Sequence, residues 1–278
     1  MIRIVTDSSA DIPSHVADRL GITVIPMRIR IGSKTLRDGV DIDRSEIYRH
    51  FSRTAAHPVS EPPLQQEFQQ VYGQLLSNAD QILSIHLSGR VNRTVHHAQE
   101  VAKAFIGRSK ITVVDSRVFS CGLELLVTAA AEAAQAGATM EEIVRIIRGM
   151  IPHIYMVFFV ESLDQLERQG FLGRGRMYAD GGLGGRPLLI VEDGEITALD
   201  RVRTRGKSVD RLFEFVSEFA HFGRVTILQG RLADEAQLLF QRLNEAFPDK
   251  PLEVRPYGVV LATILGPDAV GVGVYDRG

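Results

Sequence analysis

The stretch KITVVDSRVFSCGLELLVTAAAEAAQAG, residues 110 to 137, decides the fold class. Its first seven residues are rich in β-branched side chains and end on Asp115 and Ser116, which reads as a strand closing in a polar turn. From Gly122 to Ala136 alanine and leucine recur on more than one helical face, and Gly137 supplies a helix stop. A strand, a polar turn and a helix apolar on several faces predict a βα unit whose helix packs between layers or against a second domain.

Outward from this unit the same alternation repeats. IRIVT (2–6) opens a first strand, and QILSIHL (81–87) supplies another, followed by a helical pattern from Asn92. ITVIPMRIRI (22–31) reads as extended, interrupted at Pro26, which a sheet tolerates only at an edge or a strand start. These segments predict an N-terminal α/β domain over residues 1–152 with mostly parallel strands. After EEIVRIIRGMIPHI the pattern resets into a C-terminal α/β domain, residues 153–278. There YMVFFVES is a buried strand and SLDQLERQG a short helix closed by Gly170. GRPLLIVEDGEITALDRVRT is a hairpin turned at Asp193 and Gly194. RVTILQG, LADEAQLLFQRLNEAF and LEVRPYG form a second βαβ pattern, and VGVGVY is the last strand.

With 278 residues, two domains of ordinary size are the expectation. Lys and Arg number 32 against 34 Asp and Glu, a net charge of -2 that offers no overall attraction to nucleic acid or anionic membranes. No apolar run reaches the roughly 20 residues a membrane span needs, so no integral membrane segment and a cytoplasmic location are expected. The one cysteine, Cys121, excludes an intrachain disulfide, lacks the neighbours of a metal motif and reads as a packing residue.

Function in open α/β sheets is expected at the loops beyond the carboxyl ends of strands. Four loops qualify. Asp7 to Asp11 carries short oxygen-bearing side chains suited to capping. HPVSEPP (57–63) reads as a proline-stiffened loop presenting Ser60. Leu87 to Thr94 runs from strand to helix, where unpaired N–H groups favour negative charge, and Asp115–Ser116 sits at a similar junction.

TDSSADIP at the start, IPM, SEP at 60–62, SIHLSG, VVDS followed by SCGL, SLDQLERQG, GGRPLLIVEDGEI, RVRTRGK and LGPDAVGVG stand in the order seen in the DegV family, which this chain resembles over nearly its whole length. The resemblance implies two α/β domains with a lipid crevice between them. It also implies a non-catalytic bacterial protein that binds a long-chain fatty acid and presents it to a partner, such as the catalytic protein of a fatty acid kinase. Apart from the bound fatty acid or other lipid, no cofactor is implied. The ligand-binding positions carried over are Val59, Ser60, Ser88, Asn92, Arg93, Thr94, Phe171 and Ile264.

Several of these depart from the family pattern. Val59 replaces a threonine, Asn92 and Arg93 replace a serine and a glycine, Phe171 replaces an arginine, with Arg174 and Arg176 following, and Ile264 replaces a histidine. Two readings follow: Asn92 and Arg93 take over a fatty-acid carboxylate, or the crevice accepts a neutral or differently shaped apolar ligand or has lost the lipid role. On the order of a dozen buried methylenes at ~0.8 kcal/mol each would drive either, and the polar end then needs hydrogen-bond partners. The basic strip Arg201, Arg203, Arg205 and Lys207 is either a solvated hairpin end or a partner-docking face centred on Arg203 and Arg205.

Enzymatic readings have less support. Residues 180–186, DGGLGGR, are glycine-rich but lack the lysine and hydroxyl residue of a phosphate loop. His96 and His97 are helix neighbours that point apart, which disfavours a shared metal. Ser8 and Ser116 lie beside aspartates, yet no histidine is placed by sequence to act as their base, and no nucleophile elbow occurs. A small-molecule hydrolase or transferase remains the alternative to a carrier.

Overall fold

The computed structural model describes residues 1–53, 57–107, 110–171, 185–219 and 221–277. The first half runs β1 (Ile2–Asp7), α1 (Ser14–Leu20), β2 (Ile22–Ile25), β3 (Arg28–Ile31), β4 (Lys34–Arg37), α2 (Arg44–Arg53), β5 (Val59–Glu61), α3 (Gln65–Leu76), β6 (Gln81–His86), α4 (Thr94–Lys103), β7 (Lys110–Asp115), α5 (Ser120–Gln135) and α6 (Met140–Met150). The second half runs β8 (Ile154–Val160), α7 (Asp164–Arg168), β9 (Arg186–Glu192), β10 (Glu195–Val202), α8 (Arg205–Ser217), β11 (Phe222–Gln229), α9 (Ala233–Ala246), β12 (Leu252–Pro256), α10 (Val259–Leu265) and β13 (Ala269–Asp276).

The described residues form three sheets, and the α/β class read from the sequence is the one observed. The first, in the order β2-β1-β6-β7, is parallel throughout. Its inner strands are buried on both faces, as covered parallel strands must be. The six-stranded sheet, β10-β9-β8-β13-β11-β12, is antiparallel except for β11 with β12. The expectation of mostly parallel strands therefore holds for the first sheet only, because the β9–β10 hairpin and the insertion of β13 between β8 and β11 impose antiparallel pairing on the second.

Pro26 does more than mark an edge. It separates β2 from β3, which leaves the first sheet and becomes the middle of a small antiparallel sheet, β4-β3-β5. The segment read as a proline-stiffened loop contains a strand: Val59, Ser60 and Glu61 pair with Arg30, Ile29 and Arg28.

Helix α5 buries residues on several faces and packs on β1 and β6 on one side and on β8 and β13 on the other. One apolar core consequently runs from Ile4 and Leu83 through Leu123 and Leu126 to Phe158, Leu228 and Ile264. The Phe119 and Phe158 rings stack across it at 6.1 Å. Cys121 is buried in this contact, and burial pushes its thiol up to about 12, so it is an inert packing group.

Candidate functional site

The polar turns gather at the carboxyl ends of β1, β6 and β7, where the parallel sheet meets α10. At the tip of β1, Asp7 is fully buried. Its carboxylate accepts from Ser9 N at 3.1 Å, from the Ser9 hydroxyl, from Leu87 N at 3.2 Å and from His86 Nδ1 at 2.9 Å. His86 Nε2 lies 2.7 Å from Ser84 Oγ, which accepts from the Tyr72 hydroxyl at 2.8 Å. Asp7, His86 and Ser84 have the connectivity of a hydrolase triad that the sequence did not reveal, since the residues alternate along neighbouring strands rather than following a motif. All three are sealed from solvent, and the Tyr72 hydroxyl already occupies Ser84. Without access for a substrate, the chain of bonds acts as a latch between strands and α3.

Two further carboxylates flank it. Ser8 Oγ donates to Asp38 Oδ2 at 2.6 Å and accepts from Met27 N at 2.9 Å. Asp11, in the left-handed region at φ 53°, accepts from Ser120 Oγ at 2.7 Å and from Gly258 N at 3.2 Å. It thereby joins the first turn, the start of α5 and the start of α10. A Cβ at Gly258 would fall 1.7 Å from Asp11 Oδ1, so glycine permits the approach. Burial raises the Asp11 carboxyl to about 6 and the Asp38 carboxyl to about 7, against the smaller opposing effect of their serine donors; neighbouring Asp7 and Asp11 raise Asp38 further.

The sequence-derived positions fall into three groups. Ser60 on β5 and Ile264 on α10 are buried on elements that pack together, and Phe171, following α7, packs against the same core. Val59 precedes Ser60 and is half-buried. Thr94, Asn92 and Arg93 form the second group, at the start of α4. Asn92 Oδ1 accepts from Thr94 N at 3.0 Å and from Thr94 Oγ1 at 2.7 Å, so the amide oxygen is a helix cap and the NH2 remains as the donor. Thr94 is buried with its hydroxyl 3.5 Å from Met27 Sδ, whereas Arg93 is exposed. In the third group, the buried Ser88 hydroxyl donates to Gly194 O at 2.7 Å and is committed to holding the β9–β10 turn.

Asp115 accepts from Gly89 N and Arg117 N, and Ser116 Oγ donates to Val118 O, so the fourth loop is internally satisfied. A groove of about 880 Å³ opens beyond the Ser88 contact, between β7 and the hairpin, lined by Val113, Arg117, Arg148, Tyr155 and Ile190 among others. None of the ligand-binding positions carried over lines it. No group of metal-ligating side chains is found among the described residues. Arg174, Arg176 and most of the glycine-rich run 180–186 lie outside the described residues.

Of the basic strip, Arg205 Nε donates to Glu161 Oε1 at 2.6 Å and Lys207 pairs with Asp210 at 3.3 Å, while Arg203 is exposed. Arg186 holds the other oxygen of Glu161 at 2.5 Å and donates to Arg203 O at 3.2 Å. The strip is thus partly neutralised, with Arg203, Arg205 and Lys207 all exposed.

Residues 1–277 match the family model described as "Uncharacterised protein, DegV family". The chain belongs to the DegV family. A DegV domain-containing protein of Deinococcus radiodurans is 35% identical, with 98% of each chain covered. One from Caldanaerobacter subterraneus is 32% identical over 98% of this chain and 97% of that one. Among solved structures, "Fatty Acid Binding of a DegV family Protein from Thermus thermophilus" superposes with a TM-score of 0.88 at 28% identity, covering 99% of both chains. A fatty acid binding DegV family protein from Streptococcus agalactiae has the same fold, at a TM-score of 0.91, 24% identity and coverage of 100% of this chain and 99% of that one.

Proposed function

We propose that this DegV protein is a non-catalytic carrier that holds one long-chain fatty acid, or a closely related single-chain lipid, in the crevice where β5, α7 and α10 meet the end of the parallel sheet. The observation that carries the reading is its likeness along its whole length to the Thermus thermophilus protein, whose structure is described as binding fatty acid. The physical support is the apolar core that passes between the sheets, with Ile264 and Phe119 in it and Phe171 packed against it. Ser60 is the hydroxyl best placed to donate to the polar end, with the Asn92 NH2 as a further donor, while Thr94, its proton given to Asn92, can only accept there. Arg93, exposed, would reach it only from the rim.

The carrier presents its ligand to a partner in the cytoplasm, and a fatty acid kinase catalytic protein is the class that fits a bound carboxylate. Arg203 and Arg205 are the docking cations. No helix among the described residues is long and apolar enough to cross a membrane.

Calorimetric titration of the delipidated protein with palmitate tests the carrier directly. Saturable binding of one equivalent is expected, weakened roughly tenfold by Ser60→Ala, as for loss of one hydrogen bond. Absence of saturable binding refutes it. For docking, the double substitution Arg203→Glu and Arg205→Glu is expected to abolish association with an acyl-phosphorylating partner while leaving lipid content unchanged; unaltered association removes these residues from the interface.

A further inference from the structure

Gln165 on α7 is a buried polar residue, 8% exposed, that the network above does not use. Its Nε2 lies 2.8 Å from Nδ1 of His57, just ahead of β5, but its Oε1 is buried with no hydrogen-bond partner among the described residues. One turn later Gln169 donates to Thr263 O on α10, and the Gln165 Cγ lies against Gly266, where α10 ends. Gln165 therefore stands where α7, α10 and the approach to β5 converge, the elements that carry or lead to Phe171, Ile264 and Ser60. No side-chain partner of the Ser60 hydroxyl is found among the described residues.

An unpaired buried amide oxygen costs on the order of 1–3 kcal/mol, and such groups call for a specific explanation. With the Gln165 NH2 turned to His57 Nδ1, which accepts in the Nε2–H tautomer, the oxygen left over can only accept. A carboxylate cannot satisfy it; an O–H can. We infer that Gln165, oriented by His57, is a specificity-determining residue of the crevice that accepts a hydrogen bond from an O–H at the polar end of the bound lipid. The inference rests on the carrier reading and narrows its ligand to a chain ending in a hydroxyl or a protonated acid. A chain capped as an ester leaves the oxygen unpaired and is rejected.

Delipidated protein titrated separately with palmitic acid, hexadecanol and methyl palmitate tests this. The wild type is expected to bind the acid and the alcohol, and the methyl ester about tenfold or more weakly, the ratio that one unmade buried hydrogen bond produces. Gln165→Leu should bring the three chains to within a few-fold of one another. A wild-type preference for the acid with no binding of the alcohol overturns the acceptor role. So does an acid-to-ester ratio unchanged by Gln165→Leu, which leaves the carrier reading intact. Binding of none of the three chains to the wild type overturns both.

Discussion

Asp38 shows how a single residue can tie this fold to pH. Its carboxyl is buried beside Asp7 and Asp11, and ionisation is opposed until about pH 7, against an ordinary value of 3.8. Asp11 follows at about 6. Both folded-state values lie above the unfolded ones, so each group contributes stability at low pH that is lost as pH rises through 6 and 7. The melting temperature should fall between pH 5 and pH 8, and Asp38→Asn should flatten that fall, recovering on the order of 2–4 kcal/mol at pH 8. An identical slope in the variant would show that Asp38 stays ionised throughout. These carboxylates were half legible in the sequence. The Asp7–Asp11 loop read as a capping segment, and Asp7 does cap the turn that follows, accepting from Ser9 N. That Asp11 also reaches Gly258 could not be read, because the contact spans 247 residues and has no local signature.

Among elements, α5 was the most legible and β5 the least. Alanine and leucine on several faces required neighbours on several sides, and α5 has them in both halves, where Glu124 also pairs with Arg255 of β12. β5 is three residues between prolines, too short for periodicity to register, and its pairing with β3 depends on Pro26 having sent that strand out of the first sheet. The close fit of α5 on β13 yields a test. A Cβ at Gly273 would fall 2.3 Å from Cys121 Sγ. Gly273→Ala should destabilise the protein by about 1–3 kcal/mol, and the double variant with Cys121→Ala should recover part of the loss in chemical denaturation. Equal stability of wild type and Gly273→Ala would mean that α5 can slide away from the sheet. Helix α10 carries the same lesson for the site. Its seven residues are all buried, so Ile264 reads as core by composition, and only its packing on β5 and α7 gives it a place beside Ser60.

At the scale of the molecule, the order of motifs along the chain carried the α/β class and the family. Side-chain chemistry at the crevice was less legible. Ser88 and the Asn92 oxygen, which looked free to meet a ligand, are spent on holding a turn and a helix start. Gln165 drew no notice because it lies in a short helix, and His57, though it opens the HPVSEPP loop, was passed over for Ser60; an unpaired amide is visible only once its surroundings are fixed. What the fold offers is an apolar core continuous between the sheets, with the buried Ser60 and Ile264 on elements that pack together and the cation Arg93 exposed. That arrangement suits a single acyl chain better than a soluble polar metabolite. Native mass spectrometry of the protein as gently purified is the most direct test of this claim. The account predicts an intact mass exceeding the chain mass by one long-chain fatty acid or related single-chain lipid, lost on denaturation and identified in the extract. A protein that flies at its bare chain mass, with no lipid in the extract and none taken up on incubation with fatty acid, would contradict it.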